Sequence, residues 1–120
     1  MPFDALPMDA NPSIASIVLL RHLEKKLSKP SRWTKGQMTT GRWWRRYCTV
    51  GALAYVATKY QYPLHELEVV QQQLDYTARR LGYQSIITLN DDSATTHANI
   101  ISVIHDTLSH LELQHAIVTR

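Results

Sequence analysis

A block of arginine, tryptophan and cysteine in the middle of the chain holds the residue types best suited to chemistry. Residues 42–48 read RWWRRYC and run directly into the small residues at 51–54. Guanidinium groups neutralise phosphate while an exposed indole stacks on a base, a combination that proteins use to hold single strands and nucleotides. The block therefore predicts a cationic and aromatic surface, with a thiol at the start of a predicted helix.

Positive charge is concentrated around this block. Nine of the thirteen Lys and Arg residues lie between Arg21 and Arg46, with Glu24 as the one acid among them, although the net charge of the chain is only +3. Such a segment favours an anionic partner: nucleic acid, a nucleotide or an acidic protein surface. A solvated basic face without a partner is the alternative interpretation.

The first function class is a non-enzymatic binder of a single-stranded nucleic acid or a nucleotide. Its candidate ligand-binding residues are Lys35, Arg42, Trp43, Trp44, Arg45 and Arg46. Because a tryptophan buries a large apolar area, we expect Trp33 and one of Trp43 and Trp44 to pack inside, leaving the other for stacking. The second class is a helical protein–protein interaction module, since Arg, Trp and Tyr are the usual energetic centres of interfaces.

The third class is an enzyme built on Cys48, the single cysteine of the chain. A thiolate at a helix N-terminus beside arginines would need a histidine base. The candidates are His97, His105 and His110, and Asp106 lies four residues before His110, where it could orient the imidazole. Unpaired cysteines are commonly buried as small hydrophobes, so a structural Cys48 and a chain without catalytic activity are the favoured interpretation.

No metal or cofactor is expected. The six histidines include no pair at the i, i+4 spacing of a helical zinc site, and a single cysteine cannot form a thiolate cluster. Residues 90–92, Asn-Asp-Asp, could hold a divalent ion or a ribose with their side-chain oxygens. The favoured interpretation is a turn that leads into the last helix, because Asn and Asp bond their own backbone at such positions.

Hydrophobic periodicity predicts a mainly α fold, a compact single domain of about four helices with a short hairpin or loop at residues 31–47. The first helix should follow Ser13 and reach about Lys29, and the last should follow Thr96. The other two should run from about Cys48 or Thr49 to Tyr60, and from Tyr62-Pro63 to a stop at Gly82. A short extended run is expected at 85–89, and the tail from 114 could be helix or edge strand. The predicted core includes Leu67, Leu74, Ile104 and Leu108.

The start of the chain, its short apolar runs and its single cysteine suggest a cytoplasmic protein. Residues 1–12 contain three prolines, which predicts an extended N-terminal arm before one helical domain at 13–120. The start has no secretory signal pattern, and no apolar run approaches the roughly 20 residues that a membrane span needs. One unpaired cysteine also fits a reducing compartment. The oligomeric state is open, with a homo-oligomer among the options.

Several short sequence words recur in an order that resembles a small, uncharacterised family of bacterial and phage proteins. The words are W-T-x-G at 33–36, C-x-x-G-A-L at 48–53, N-D at 90–91 and T-x-x-x-I at 96–100. The family usually has Trp where this chain has Leu89, and it lacks the arginine and tryptophan cluster. The resemblance implies a shared fold, no established activity, and a mobile-element origin for the interaction-module class, for example an inhibitor of a host defence system.

Overall fold

Four longer helices and one short helix form most of the described chain. The computed structural model describes residues 13–37, 39–40 and 45–118. The helices are α1 (Ile14–Lys26), α2 (Thr49–Lys59), α3 (Leu64–Arg80), α4 (Ile86–Asp91) and α5 (His97–Val118). Between α1 and α2, the strands β1 (Thr39–Thr40) and β2 (Arg46–Tyr47) pair antiparallel. The mainly α fold, with a hairpin inside residues 31–47, is confirmed. The arm predicted at 1–12 lies outside the described residues.

Capping side chains set the starts of two helices at the positions that the sequence indicated. The Ser13 hydroxyl accepts from the Ser16 amide at 3.1 Å, and the Ser16 hydroxyl accepts in turn from the Ser13 amide. At α5, the Thr96 hydroxyl accepts from the backbone amide of Asn99, while the side-chain Oδ1 of Asn99 accepts from the backbone amide of Thr96. Each reciprocal pair satisfies donors that a helix start leaves without partners.

The hydrophobic core lies where α1 packs against α2, α3 and α5. Of the predicted core residues, Leu74 and Ile104 are fully buried and Leu108 is nearly so, while Leu67 is partly buried at the edge. Helix α1 runs antiparallel to α5, because Arg21 pairs with Glu112 whereas Leu27, at the end of α1, accepts a bond from His97. Helix α1 is thus the central element of the bundle.

The extended run predicted at residues 85–89 is wrong, because these residues begin α4. The Ser85 hydroxyl caps the helix by accepting from the Thr88 amide, and the Ile86 amide donates to Asp75 of α3 at 2.9 Å. Ile86 and Leu89 lie three residues apart and are both buried. Tertiary packing thus overrides the preference of β-branched residues for strands.

One helix end differs from its predicted limit, and for the tail the helical alternative holds over the described residues. Helix α1 ends at Lys26 rather than near Lys29, and a short 3₁₀ turn then begins at Pro30. Helix α5 continues through residue 118, so the described part of the tail is helical. Gly82 follows α3 with a φ of +96°, the left-handed conformation that favours glycine after a helix. None of the helices in the described ranges has the length and apolar character needed to cross a membrane.

Candidate functional site

An open groove of about 410 Å³ lies between the hairpin and one side of α2. Arg45 directly precedes β2, and it shares one side with Tyr47, two residues on, because side chains alternate along extended backbone. On α2, Gly51 has no side chain and Ala54 has only a methyl group, so neither fills the space beside Tyr55. We call this site the groove, and its lining residues are Thr39, Arg45, Tyr47, Gly51, Ala54, Tyr55, Thr58 and Lys59.

The groove is positively charged. Its eight described lining residues include two cations, Arg45 and Lys59, and no acid. Both cations are exposed, and neither forms an ion pair with a carboxylate within the described residues. The two described ion pairs, Arg21 with Glu112 and Glu24 with His105, join α1 to α5 instead. The described lining of the groove therefore carries positive charge and no negative charge.

Two tyrosines give the groove an aromatic wall. The ring centroids of Tyr47 and Tyr55 are 5.3 Å apart, with the rings tilted by 44°. Tyr47 is buried, whereas Tyr55 keeps 37% of its surface exposed. The Lys26 ammonium, from the last turn of α1, lies 4.1 Å from the Tyr55 centroid and 4.9 Å from the Tyr47 centroid. Tyr55 is thus the tyrosine that can contact a ligand over a substantial area.

A second cluster is centred on the buried side chain of Asn90, at the end of α4. Asn90 Oδ1 accepts from the Trp33 indole at 2.7 Å and from the Thr49 amide and hydroxyl at 3.0 and 2.7 Å. Asn90 Nδ2 donates to the Thr34 carbonyl at 3.1 Å and to Asp91 Oδ1 at 3.0 Å. We call these five residues the Asn90 latch; it joins the loop after α1, the start of α2 and α4.

The latch also positions the hairpin side of the groove. The Thr34 amide donates to the Tyr47 carbonyl at 3.1 Å, which ties β2 to the loop that Asn90 holds. Gly36 has a φ of +75°, a conformation that glycine adopts without strain, and its amide donates to Asp91 at 2.8 Å. The sequence pattern singled out the N-D word and predicted that the Asn90 side chain bonds its own backbone in a turn. It did not predict these long-range partners.

Lys35, a predicted ligand-binding residue, contacts the turn between α4 and α5 and does not line the groove. Its ammonium donates to the carbonyls of Asp92 and Ser93 at 2.7 and 3.2 Å. The Tyr83 hydroxyl donates to the Asp92 carboxylate at 2.7 Å, and this bond lowers the pKa of Asp92. Across the described ranges, no three His, Cys, Asp or Glu side chains are grouped to hold a metal ion.

The remaining predicted ligand residues divide into three groups. Arg45 lines the groove, and Arg46 is exposed on the opposite side of β2. Arg42, Trp43 and Trp44 lie outside the described residues. Trp33 is half-buried at the latch. Sequence reasoning missed the groove residues of α2, although Tyr55 and Lys59 are one helical turn apart and give an aromatic and basic pair on one face.

Cys48 caps the start of α2. Its side chain is buried, and Sγ accepts from the Gly51 amide at 3.3 Å. Sulfur thus takes the place that a serine or aspartate oxygen commonly fills at this position. The residues of the C-x-x-G-A-L word thus have structural roles: Cys48 caps the helix, and Ala52 and Leu53 are fully buried beside the cap.

Cys48 and His110 are far apart. Trp33 pairs with Tyr47, the neighbour of Cys48, and its ring lies 6.2 Å from that of His97 at the start of α5. His110 is thirteen residues further along the same helix, which is about 20 Å at 1.5 Å per residue. No hydrogen bond within the described residues joins Cys48 to either member of the predicted pair, and Asp106 is exposed. The structure therefore does not assemble the predicted catalytic trio.

His110 belongs instead to the contact between α3 and α5. Its ring stacks on Tyr76 with centroids 5.4 Å apart. Burial away from water lowers the pKa of His110, and the nearby positive charge of Arg80 lowers it further. Neutral imidazole is the form that this contact favours.

Comparison with known proteins gives a family and no activity. A model described as a family of unknown function, DUF6197, matches residues 15–110. The chain belongs to this family. The match covers α1 through most of α5, and so includes both the groove and the Asn90 latch. Comparisons with curated proteins and with solved structures found no match. Membership in DUF6197 therefore implies no known activity.

Proposed function

We propose that this protein is a small non-enzymatic binding protein whose groove holds a ligand with a phosphate and a base, either a single-stranded nucleic acid or a nucleotide. The observation that carries the proposal is that Arg45, Lys59 and the half-exposed Tyr55 line one cavity of about 410 Å³. Guanidinium and ammonium groups neutralise phosphate, and an aromatic ring stacks on any base because every base has a π-face.

The proposed binding rests on side chains, and two backbone amides at the helix start beside the groove are already engaged within the protein. The Gly51 amide donates to Cys48, and the Thr49 amide donates to Asn90. Anion binding at a helix N-terminus needs such amides to point at the ligand. Binding through Arg45 and Lys59 releases counterions from phosphate, so affinity should fall steeply as salt rises.

Titration of labelled five-nucleotide single strands and of a nucleotide panel at low salt tests the proposal. We expect binding tighter than millimolar for at least one of these ligands and a large loss of affinity in the Arg45→Ala/Lys59→Ala double variant. The matched control is Lys25→Ala/Arg79→Ala, which removes the same charge from two exposed residues outside the groove. The control should bind nearly as wild type.

Two results would contradict the proposal. One is a wild-type protein that binds none of these ligands more tightly than about millimolar at low salt. The other is equal loss in the groove and control variants, which would show a general effect of net charge. The first result would favour the protein–protein interaction alternative, with an acidic protein surface as the partner, and the second would show that the groove is not the binding site.

A further inference from the structure

We infer that Lys26 is a positioning residue of the groove: its ammonium holds the Tyr55 ring in the orientation in which a base can stack on it. The inference rests on the proposed function and deepens it by assigning a role to a residue outside the groove lining. Lys26 lies in the last turn of α1 and does not line the groove, yet it contacts both tyrosines that do.

The geometry is that of a cation over two aromatic faces. The ammonium is within 5 Å of both ring centroids, at 4.1 Å for Tyr55 and 4.9 Å for Tyr47. Ammonium groups within about 6 Å of a ring centroid are attracted by the negative ring face. Glu24, the acid nearest to Lys26 in sequence, contacts His105 of α5 instead. The two rings are therefore the described partners of this ammonium.

Tyr55 is the ring that needs such a contact. Tyr47 is buried and fixed by its surroundings, whereas Tyr55 is 37% exposed at the groove. A half-exposed side chain loses rotamer freedom when a ligand orders it, and that loss weakens binding. An ammonium that already holds the ring removes part of this cost before the ligand arrives. Lys26 also links α1 to α2 and β2, so the ring is held relative to three elements.

A positioning role and a direct phosphate contact predict different salt dependence. A lysine that contacts phosphate contributes about 0.7 to the magnitude of the slope of log K against log salt on a single strand. A lysine that holds a ring contributes to affinity with almost no change in that slope. The comparison therefore separates the two roles without a structure of the complex.

The experiment uses Lys26→Met, Lys26→Arg and, as the matched control, Lys25→Met at the neighbouring exposed lysine. The probe is a fluorescein-labelled five-nucleotide single strand titrated at several salt concentrations. Lys26→Met should weaken binding by about 2- to 13-fold, the range that corresponds to the cost of ordering one side chain, with the slope unchanged. Lys26→Arg should restore most of the affinity, and Lys25→Met should bind as wild type.

A second readout needs no ligand. The ε-CH₂ protons of Lys26 should show an upfield NMR shift from the tyrosine ring currents, and the Tyr55→Leu variant should lose most of it. An unshifted signal, a slope that falls by about 0.7 in Lys26→Met, or wild-type affinity in that variant would overturn the inference while the proposed function stands. A wild-type protein that binds no strand and no nucleotide would overturn both.

Discussion

Trp33 and Asn90 are 57 residues apart in the chain and are joined by a 2.7 Å hydrogen bond from the indole Nε1 to the side-chain Oδ1. The same oxygen accepts two bonds from Thr49, where α2 begins. Three of the recurring sequence words therefore meet: W-T-x-G through Trp33, N-D through Asn90, and C-x-x-G-A-L through Thr49. The latch thus brings together the three segments that carry these words, and it fixes both walls of the groove relative to each other.

Asn90→Ala should destabilise the protein by about 2–4 kcal/mol, because it leaves the Trp33 indole and both Thr49 donors without their acceptor in a buried site. Urea unfolding monitored by circular dichroism measures the loss. Gln84→Ala, at an exposed position in the turn before α4, is the control and should change stability by less than about 0.5 kcal/mol. Equal stability of wild type and Asn90→Ala would show that the Asn90 latch does not contribute to the free energy of unfolding.

The sequence predicted the elements whose signals are local. The apolar stripe of α3, the serine cap of α1 and the threonine cap of α5 each act within one or two helical turns, so the positions of these helices were found. Helix α4 has a local cap in Ser85, but its six residues are too few to show a helical period, and it also depends on a bond from Ile86 to Asp75 of α3 and on burial against the core. Neither interaction is visible in a local pattern.

The candidate site was predicted in part for the same reason. Composition singled out Arg45 because it lies in a dense arginine and tryptophan block. Lys59 and Tyr55 join Arg45 only through the packing of α2 against the hairpin, which brings residues ten and fourteen positions away to one cavity. Lys35 was predicted from composition in the same way, yet its ammonium donates to two backbone carbonyls in the turn before α5.

Leu74→Ala should cost about 2–5 kcal/mol of unfolding free energy, because the side chain is fully buried and its removal leaves a cavity in the core. Leu81→Ala is the matched control, since Leu81 ends the same helix with 56% of its surface exposed. The control should lose less than about 1 kcal/mol. Chemical denaturation of the three proteins provides the comparison, and similar losses in both variants would contradict the assigned core.

Cys48 should react with iodoacetamide more slowly than a free-cysteine peptide near neutral pH. The thiol is buried, and its sulfur accepts a bond from the Gly51 amide. Buried structural cysteines are generally inert. Mass spectrometry of labelled native protein over time gives the rate, with urea-unfolded protein as the positive control. Labelling of native protein faster than the peptide would reverse this assignment and favour the enzyme alternative.

Stability should fall as the pH drops below about 6.5, in part through His110. Burial holds the pKa of His110 below its ordinary value of 6.5, so the unfolded chain binds a proton more readily than the folded chain. The contribution of neutral His110 to the free energy of unfolding is complete above pH 6.5 and is lost as the pH falls through the pKa of His110 in the folded state. Urea midpoints at several pH values should therefore fall less in His110→Gln than in wild type.

The control for this pH dependence is His65→Gln, at an exposed position on α3. It should follow the wild-type pH profile. A His110→Gln protein whose stability falls with acidification as much as that of wild type would show that His110 does not contribute.

The salt dependence of single-strand binding tests the central claim, that Arg45 and Lys59 contact phosphate in the groove, most directly. Each lost phosphate contact on a single strand lowers the magnitude of the slope of log K against log salt by about 0.7. The Arg45→Ala/Lys59→Ala variant should therefore show a slope about 1.4 smaller in magnitude than wild type, while Lys25→Ala/Arg79→Ala keeps the wild-type slope. A groove variant whose slope equals that of wild type would contradict the account.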